Sequence, residues 1–353
     1  MRPLPARYVP IGGSMDGGMG SVICCNDSHL DRQVAIKFIQ DRANMRRMLD
    51  EFAALLKMRS KHVVQVFDIL RYPDDEIGIV QEFIAGNDLI HDTSAQSGAD
   101  AYVRTLWQIA TGIADIHSVD VIHRDIKPNN MKLDAESIVK IFDFGLARSV
   151  GVDARTRGFV GTTGFAAPEL FGAAVQFTKA IDVYAFGATA LYLIEKRMPD
   201  ELVAWPPRPN GLTYFSATPF DLPHRLATML DACLHPDPNH RPQMSEVAAE
   251  LKTCLCYDRH QALVVFGKDP SYLNAARRQV RLSLPNVGML EISYDSFAFR
   301  ISDFSGEVEI NNRVPVRDEE LPGSCVASLG LPPRYASQRA FITFDVSNPE
   351  IVL

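Results

Sequence analysis

The chain has 353 residues, 46% of them hydrophobic and 22% charged, with a net charge of -7. That length exceeds one small core and predicts two domains or three, and the composition is that of an ordinary globular protein. The negative balance argues against a nucleic-acid partner, whose receptor surface is usually a basic field.

Residues 8 to about 84 read as strands with one helix. A Gly-rich stretch from Gly12 to Gly20 leads into the alternating run Val22-Ile23-Cys24, and Gln33-Val34-Ala35-Ile36-Lys37 predicts a further strand. Residues 46–58 place Met48, Phe52, Leu55, Leu56 and Met58 at the spacing of an amphipathic helix. Residues 63–70 and 76–83 predict two more strands. From about 99 to 255 the pattern turns helical, with segments at 101–117, 181–196, 226–234 and 244–256. Between the first two lie short strands at 131–133 and 139–141 and a loop rich in Gly, Thr and Arg over 145–166. After Tyr257 short alternating runs at 280–284, 289–294, 298–301, 307–310 and 340–344 are separated by turns such as Leu284-Pro285-Asn286, the texture of a small β-sandwich or barrel. The expected division is 1–255, with a β-rich front at about 8–84 and a helical back at about 85–255, followed by a β-rich domain at 256–353.

The longest apolar stretch, 183–194, is 12 residues and too short to cross a bilayer, so no membrane span is expected. The start, Met1-Arg2-Pro3-Leu4-Pro5, lacks the apolar run of a secretory signal. Neither Cys24-Cys25 nor Cys254-Leu255-Cys256 has the spacing and histidine partners of a zinc site, so buried or incidental thiols in a reducing cytoplasm are expected.

Phosphoryl transfer needs a phosphate cradle, one or two magnesium ions and a group that orients the attacking hydroxyl. In Gly17-Gly18-Met19-Gly20-Ser21-Val22 the glycines let backbone N–H groups approach phosphate oxygens, although such a turn alone is a weak signal. Lys37 closes the following strand, and Glu51 on the next helix is the natural partner to hold it over the phosphates. The run His123-Arg124-Asp125-Ile126-Lys127-Pro128-Asn129-Asn130 is far more specific. Asp125 can orient a hydroxyl, Lys127 can stabilise the transferring phosphoryl charge, and Asn130 is placed to meet a metal. Asp143-Phe144-Gly145 then offers a second metal ligand, an apolar plug and a flexible glycine.

In this order the motifs resemble those of the eukaryotic-type (Hanks-type) protein kinases, over roughly residues 8–255. Asp-x-Lys-Pro-x-Asn is similar to the serine/threonine members, and the short stretch between 196 and 225 to bacterial ones. The resemblance implies an α+β fold, with a β-rich N-lobe and a helical C-lobe, followed here by a small all-β sandwich-like domain. It implies transfer of the ATP γ-phosphate to protein Ser or Thr hydroxyls with magnesium, manganese being the alternative ion. Val22 and Ala35 would roof the adenine, the backbone of Glu82 and Ile84 would hydrogen-bond it, and Gln81 would stand at the gatekeeper position. Leu55, Phe144 and His123 would belong to the apolar column of the active state. Glu169 in Ala167-Pro168-Glu169 would pair with Arg241, and Asp182 would brace the catalytic loop. Arg124 would meet a phosphate on the activation loop, with Arg148 assisting. Ser149, Thr156, Thr162 and Thr163 are the acceptors, Thr156 preferred and Thr162 better suited to bonding near Asp125 and Lys127.

Two positions depart from the family. Met15 falls where the first loop glycine is usual, and Lys132 lies where an apolar residue floors the adenine. A lysine stem can still cover the ring while its ammonium turns outward. The run Phe304 to Asn312 resembles part of a forkhead-associated β-sandwich but lacks its phosphate-gripping Gly-Arg and Ser-x-x-His elements. The expectation is therefore a β domain that recruits a protein partner or substrate. Two rival readings stay open: a signalling scaffold that uses the kinase fold for binding, and a small-molecule phosphotransferase, against which Lys127 and the full activation segment speak.

Overall fold

The computed structural model describes residues 3–12, 15–17, 20–40, 45–73, 76–144, 164–172, 177–209, 213–267 and 269–347. The chain divides into two compact units, Met1–Leu251 and Lys252–Leu353.

The first unit opens with β1 (Tyr8–Pro10), β2 (Met15–Gly17), β3 (Gly20–Asp27) and β4 (Arg32–Gln40), then α1 (Met45–Lys57), β5 (Val66–Arg71) and β6 (Glu76–Glu82). The strands form an antiparallel sheet in the order β1-β3-β4-β6-β5, with β2 folded back onto β3. Strand alternation decides its faces. Ile23, Cys25, Val34, Ile36, Phe38 and Val80 turn one way and bury with Tyr8 in an apolar cluster. Val22, Cys24, Ala35, Lys37, Ile79 and Gln81 therefore share the other face, where Ala35 lies opposite both Cys24 and Gln81.

The helical lobe follows: β7 (Asn87–Asp88), α2 (Ala99–Ser118), β8 (Met131–Leu133), β9 (Val139–Ile141), α3 (Ala180–Glu195), α4 (Asp200–Val203), α5 (His224–Cys233) and α6 (Met244–Cys256), the last running past the unit boundary. Helix α2 buries Tyr102, Leu106, Ile109, Ile113 and Ile116, one stripe at helical spacing. Helix α3 is apolar on nearly every side and buried from Ile181 to Leu191. Gly187 lets it approach the end of α5, since a Cβ there would lie 3.0 Å from Cys233 Cβ. Strands β7, β8 and β9 form a small sheet in that order. Gly86 leads into it where a Cβ would fall 1.4 Å from the Leu133 carbonyl oxygen, so only glycine fits. No helix among the described residues is long and apolar enough to cross a membrane.

The second unit contains β10 (Ala262–Phe266), β11 (Asp269–Leu273), β12 (Gln279–Leu284), β13 (Gly288–Tyr294), β14 (Phe299–Gly306), β15 (Val308–Ile310), β16 (Ser324–Leu329) and β17 (Ala340–Val346). One antiparallel sheet has the order β11-β10-β17-β16-β15 and the other β12-β13-β14. Val264, Leu290, Ile292, Ile301, Ala327, Ile342 and Phe344 meet in a core common to both, which makes the unit a sandwich. Strands β10, β11 and β16 were not among the expected ones. Ala262–Phe266 is a continuous apolar run with no alternation to mark it, although the strand buries Ala262 and Val264 and leaves Leu263 and Val265 half-buried. The six cysteines form no disulfide. Burial pushes the Cys233 thiol up to about 12 and Cys325 to about 11, which leaves both protonated and inert.

Candidate active site

The loop between α2 and β8 is held from beneath by one carboxylate. Asp182, in the first turn of α3, is fully buried. It accepts the backbone N–H of His123 and that of Arg124, each at 2.8 Å, while His117 Nε2 lies 3.0 Å from it. A buried carboxylate is costly unless donors surround it, and here three converge. Arg124 sits at φ 67, a left-handed conformation that an arginine avoids unless its surroundings impose it. The paired amide bonds to Asp182 impose it.

Above this brace stand three buried polar side chains. Lys127 Nζ lies 3.0 Å from Asp125 Oδ1 and 2.9 Å from Oδ2. Asn130 Nδ2 donates to the Asp125 carbonyl at 2.8 Å and to Oδ2 at 2.9 Å. The His123 ring fixes the neighbouring backbone. Its Nε2 lies 3.1 Å from the Phe142 carbonyl, which makes Nε2 the donor and leaves Nδ1 to accept the Asp125 N–H at 3.3 Å. Burial holds the His123 imidazole below its usual pKa, in keeping with that neutral tautomer. The ring packs on Phe144 at 4.8 Å between centroids.

Across the cleft, Lys37 on β4 is buried and its ammonium pairs with the Asp143 carboxylate, 106 residues further on. Asp143 also has a left-handed backbone, φ 61. Gly17 and Gly20 pair across the β2–β3 turn, and Val22 lies opposite Lys37. Glu51 is on α1, but its side chain, together with Gly18, Gly145, Arg148, Ser149, Thr156, Thr162 and Thr163, lies outside the described residues. Gln81 and Glu82 end β6, with Ile84 just beyond. Glu82 donates its N–H to the Gln65 carbonyl at 2.9 Å. Lys132 is half-buried on β8, its ammonium 3.7 Å from Asp88 Oδ1.

A second brace lies below. The Arg241 side chain is fully buried and spends all five N–H groups. Two go to Glu169 at 2.7 and 2.8 Å, and the others to the carbonyls of His235, Ala180 and Pro236 at 2.8, 2.9 and 3.2 Å.

The family model for the protein kinase domain matches residues 11–251. The chain belongs to the protein kinase family. It is 33% identical over 203 residues to "Mitogen-activated protein kinase homolog NTF6" of Nicotiana tabacum, covering 54% of each chain. It is 30% identical over 253 residues to "Serine/threonine-protein kinases PknA" of Corynebacterium glutamicum, covering 66% of this chain and 53% of that one. A third relative, "Mitogen-activated protein kinase 13" of Arabidopsis thaliana, is 31% identical over 205 residues, 55% of this chain and 56% of its own. The chain thus spans about half the length of the curated relatives it matches.

Within this kinase domain, sequence reasoning did not find His117 as the third donor to Asp182, nor the pairing of Lys140 with Glu82. The only hint for His117 was its place at the last turn of an apolar helix, one turn before the loop.

Proposed function

We propose that this chain is an ATP-dependent protein serine/threonine kinase, and the joining of Asp125, Lys127 and Asn130 on one loop carries the reading. Asp125 orients the substrate hydroxyl and takes its proton, while Lys127 neutralises charge on the phosphoryl group in transit. Lys37 and the Gly17, Gly18 and Gly20 turn bind the phosphates, with Glu51 as the counter-ion of Lys37. The Glu82 carbonyl and the Ile84 N–H meet the adenine under the roof of Val22 and Ala35. Gln81 forms the side wall and Lys132 the floor.

The residues fit a hard divalent cation. Asn130 commits its amide nitrogen to Asp125, so its side-chain oxygen is the atom it can offer to a metal, with the Asp143 carboxylate as the second protein ligand. Those two would hold magnesium, or manganese in its place. Magnesium is commonly held by one or two protein oxygens together with phosphate oxygens and water, so the pair would suffice. When bound, the ion supplies charge neutralisation at the phosphates.

Asp182, Glu169 and Arg241 are structural in this reading. Arg124 receives a phosphate placed on Thr156, with Thr162 and Thr163 as neighbouring acceptors, which would order the loop through charge-assisted bonds. The kinase domain extends over 1–255, and the β domain at 256–353 recruits a protein partner or substrate. The enzyme acts in the cytoplasm on protein substrates.

The test is incubation with labelled ATP and magnesium, comparing wild type with Asp143→Asn and Lys37→Ala. Transfer to a generic protein or to the chain itself, lost by at least about 100-fold in both variants, supports the kinase. Nucleotide binding without transfer in the wild type would favour a scaffold.

A further inference from the structure

Lys132 and Lys140 lie directly opposite each other on β8 and β9, so their side chains leave the same face of the pleat. Two ammonium groups so placed repel, and each is met by its own acid. Lys140 Nζ lies 2.9 Å from Glu82 Oε1 and 3.2 Å from Oε2. Lys132 reaches toward Asp88. Glu82 closes β6 and Asp88 closes β7, so the two acids bracket the segment between the lobes.

The Glu82 carboxylate has a second contact, since its Oε2 accepts the Gln65 N–H at 3.1 Å. The chain just before Gln65 is itself stitched to β9: Val64 N–H donates to the Ile141 carbonyl and Ile141 N–H to His62, each at 2.9 Å. One carboxylate therefore gathers the start of β5, the end of β6 and the β8–β9 hairpin. The two pairs differ in exposure. The Lys140 and Glu82 side chains are 13% and 29% exposed, those of Lys132 and Asp88 31% and 47%, so solvent screens the first pair less.

We propose that the rung of Lys132 and Lys140 straps both ends of the 82–88 segment to the helical lobe, with Lys140 a positioning residue for the nucleotide. The inference rests on the reading of Glu82 and Ile84 as base contacts. It also accounts for Lys132, whose ammonium is drawn aside toward Asp88.

The full chain is titrated with Mg-ATP by calorimetry, and KM and kcat are measured alongside. Lys140→Met raises Kd and KM about tenfold, equivalent to about 1.4 kcal/mol, with kcat within about twofold. Glu82→Gln raises Kd by a similar factor, and the double variant is no worse than either single one. Lys140→Arg stays within about threefold of wild type, and Glu82→Lys with Lys140→Glu regains part of the loss even if the single variants fold poorly. Unchanged Kd in Lys140→Met, a lowered melting temperature with no change in Kd, or multiplicative losses in the double variant would overturn the strap. A wild type that binds nucleotide but transfers no phosphate overturns the activity reading alone, and the Kd values then still decide the strap.

Discussion

The two units bury different things. In the first, Lys37, Asp125, Lys127, Asp182, Glu250 and Arg241 lie inside, whereas in the second the buried polar residues among those described are His260, Ser296 and Ser328. Charged groups of the sandwich stay at its surface in pairs such as Glu307 with Arg334 and Arg317 with Asp303. The sandwich is thus held by apolar area, which tolerates imprecise fit. The catalytic loop is held by directed bonds in a low-dielectric setting, which fix single atoms but fail sharply when one partner is lost. Substitutions should fail in the same two ways.

The largest effect is expected at the brace. Asp182→Ala leaves two buried amides and His117 without their acceptor, and it should cost about 3 to 5 kcal/mol and abolish transfer. Thermal melting and a transfer assay read both losses. Arg241→Ala and Glu169→Ala should each cost about 3 kcal/mol, while the double variant, also measured by denaturant melting, falls well short of their sum. In the sandwich, Ile292→Ala should cost about 3 kcal/mol through a cavity and leave the Kd for ATP unchanged, a split that would separate the two modes cleanly.

The smallest effect is a pH response of the surface pairs. The Arg334 guanidinium and the Leu331 N–H hold the Glu307 carboxyl down at about 2, from an ordinary 4.5. A depressed carboxylate stabilises the fold fully above the unfolded value of about 4.5, and the contribution is lost as pH falls toward about 2. Melting temperatures of wild type and Glu307→Gln should therefore converge across that acid window. Unchanged separation down to pH 2 would show that the pair contributes nothing.

Much of the fold was legible because its signals are local. The stripe of α2 and the all-round apolarity of α3 follow from helical spacing, and the paired motifs around Asp125 and Asp143 name a phosphotransfer site by residue type and order. What was not legible depends on register between distant strands. Nothing in the sequence around Lys140 points to Glu82, since their meeting is fixed by how β9 runs beside the approach to β5. Strands β10 and β16 were missed because the half-buried face of β10 is as apolar as its buried one and Ser324-Cys325-Val326-Ala327 shows little contrast between its faces.

The grip of Asp182 on consecutive amides has a kinetic reading as well. His123 and Arg124 belong to no helix or strand, yet their N–H groups are locked to a carboxylate that water does not reach. In deuterium oxide those two protons should exchange as slowly as the centre of α3, because releasing them requires lifting the loop from the helix beneath. By that clock the catalytic loop is part of the core.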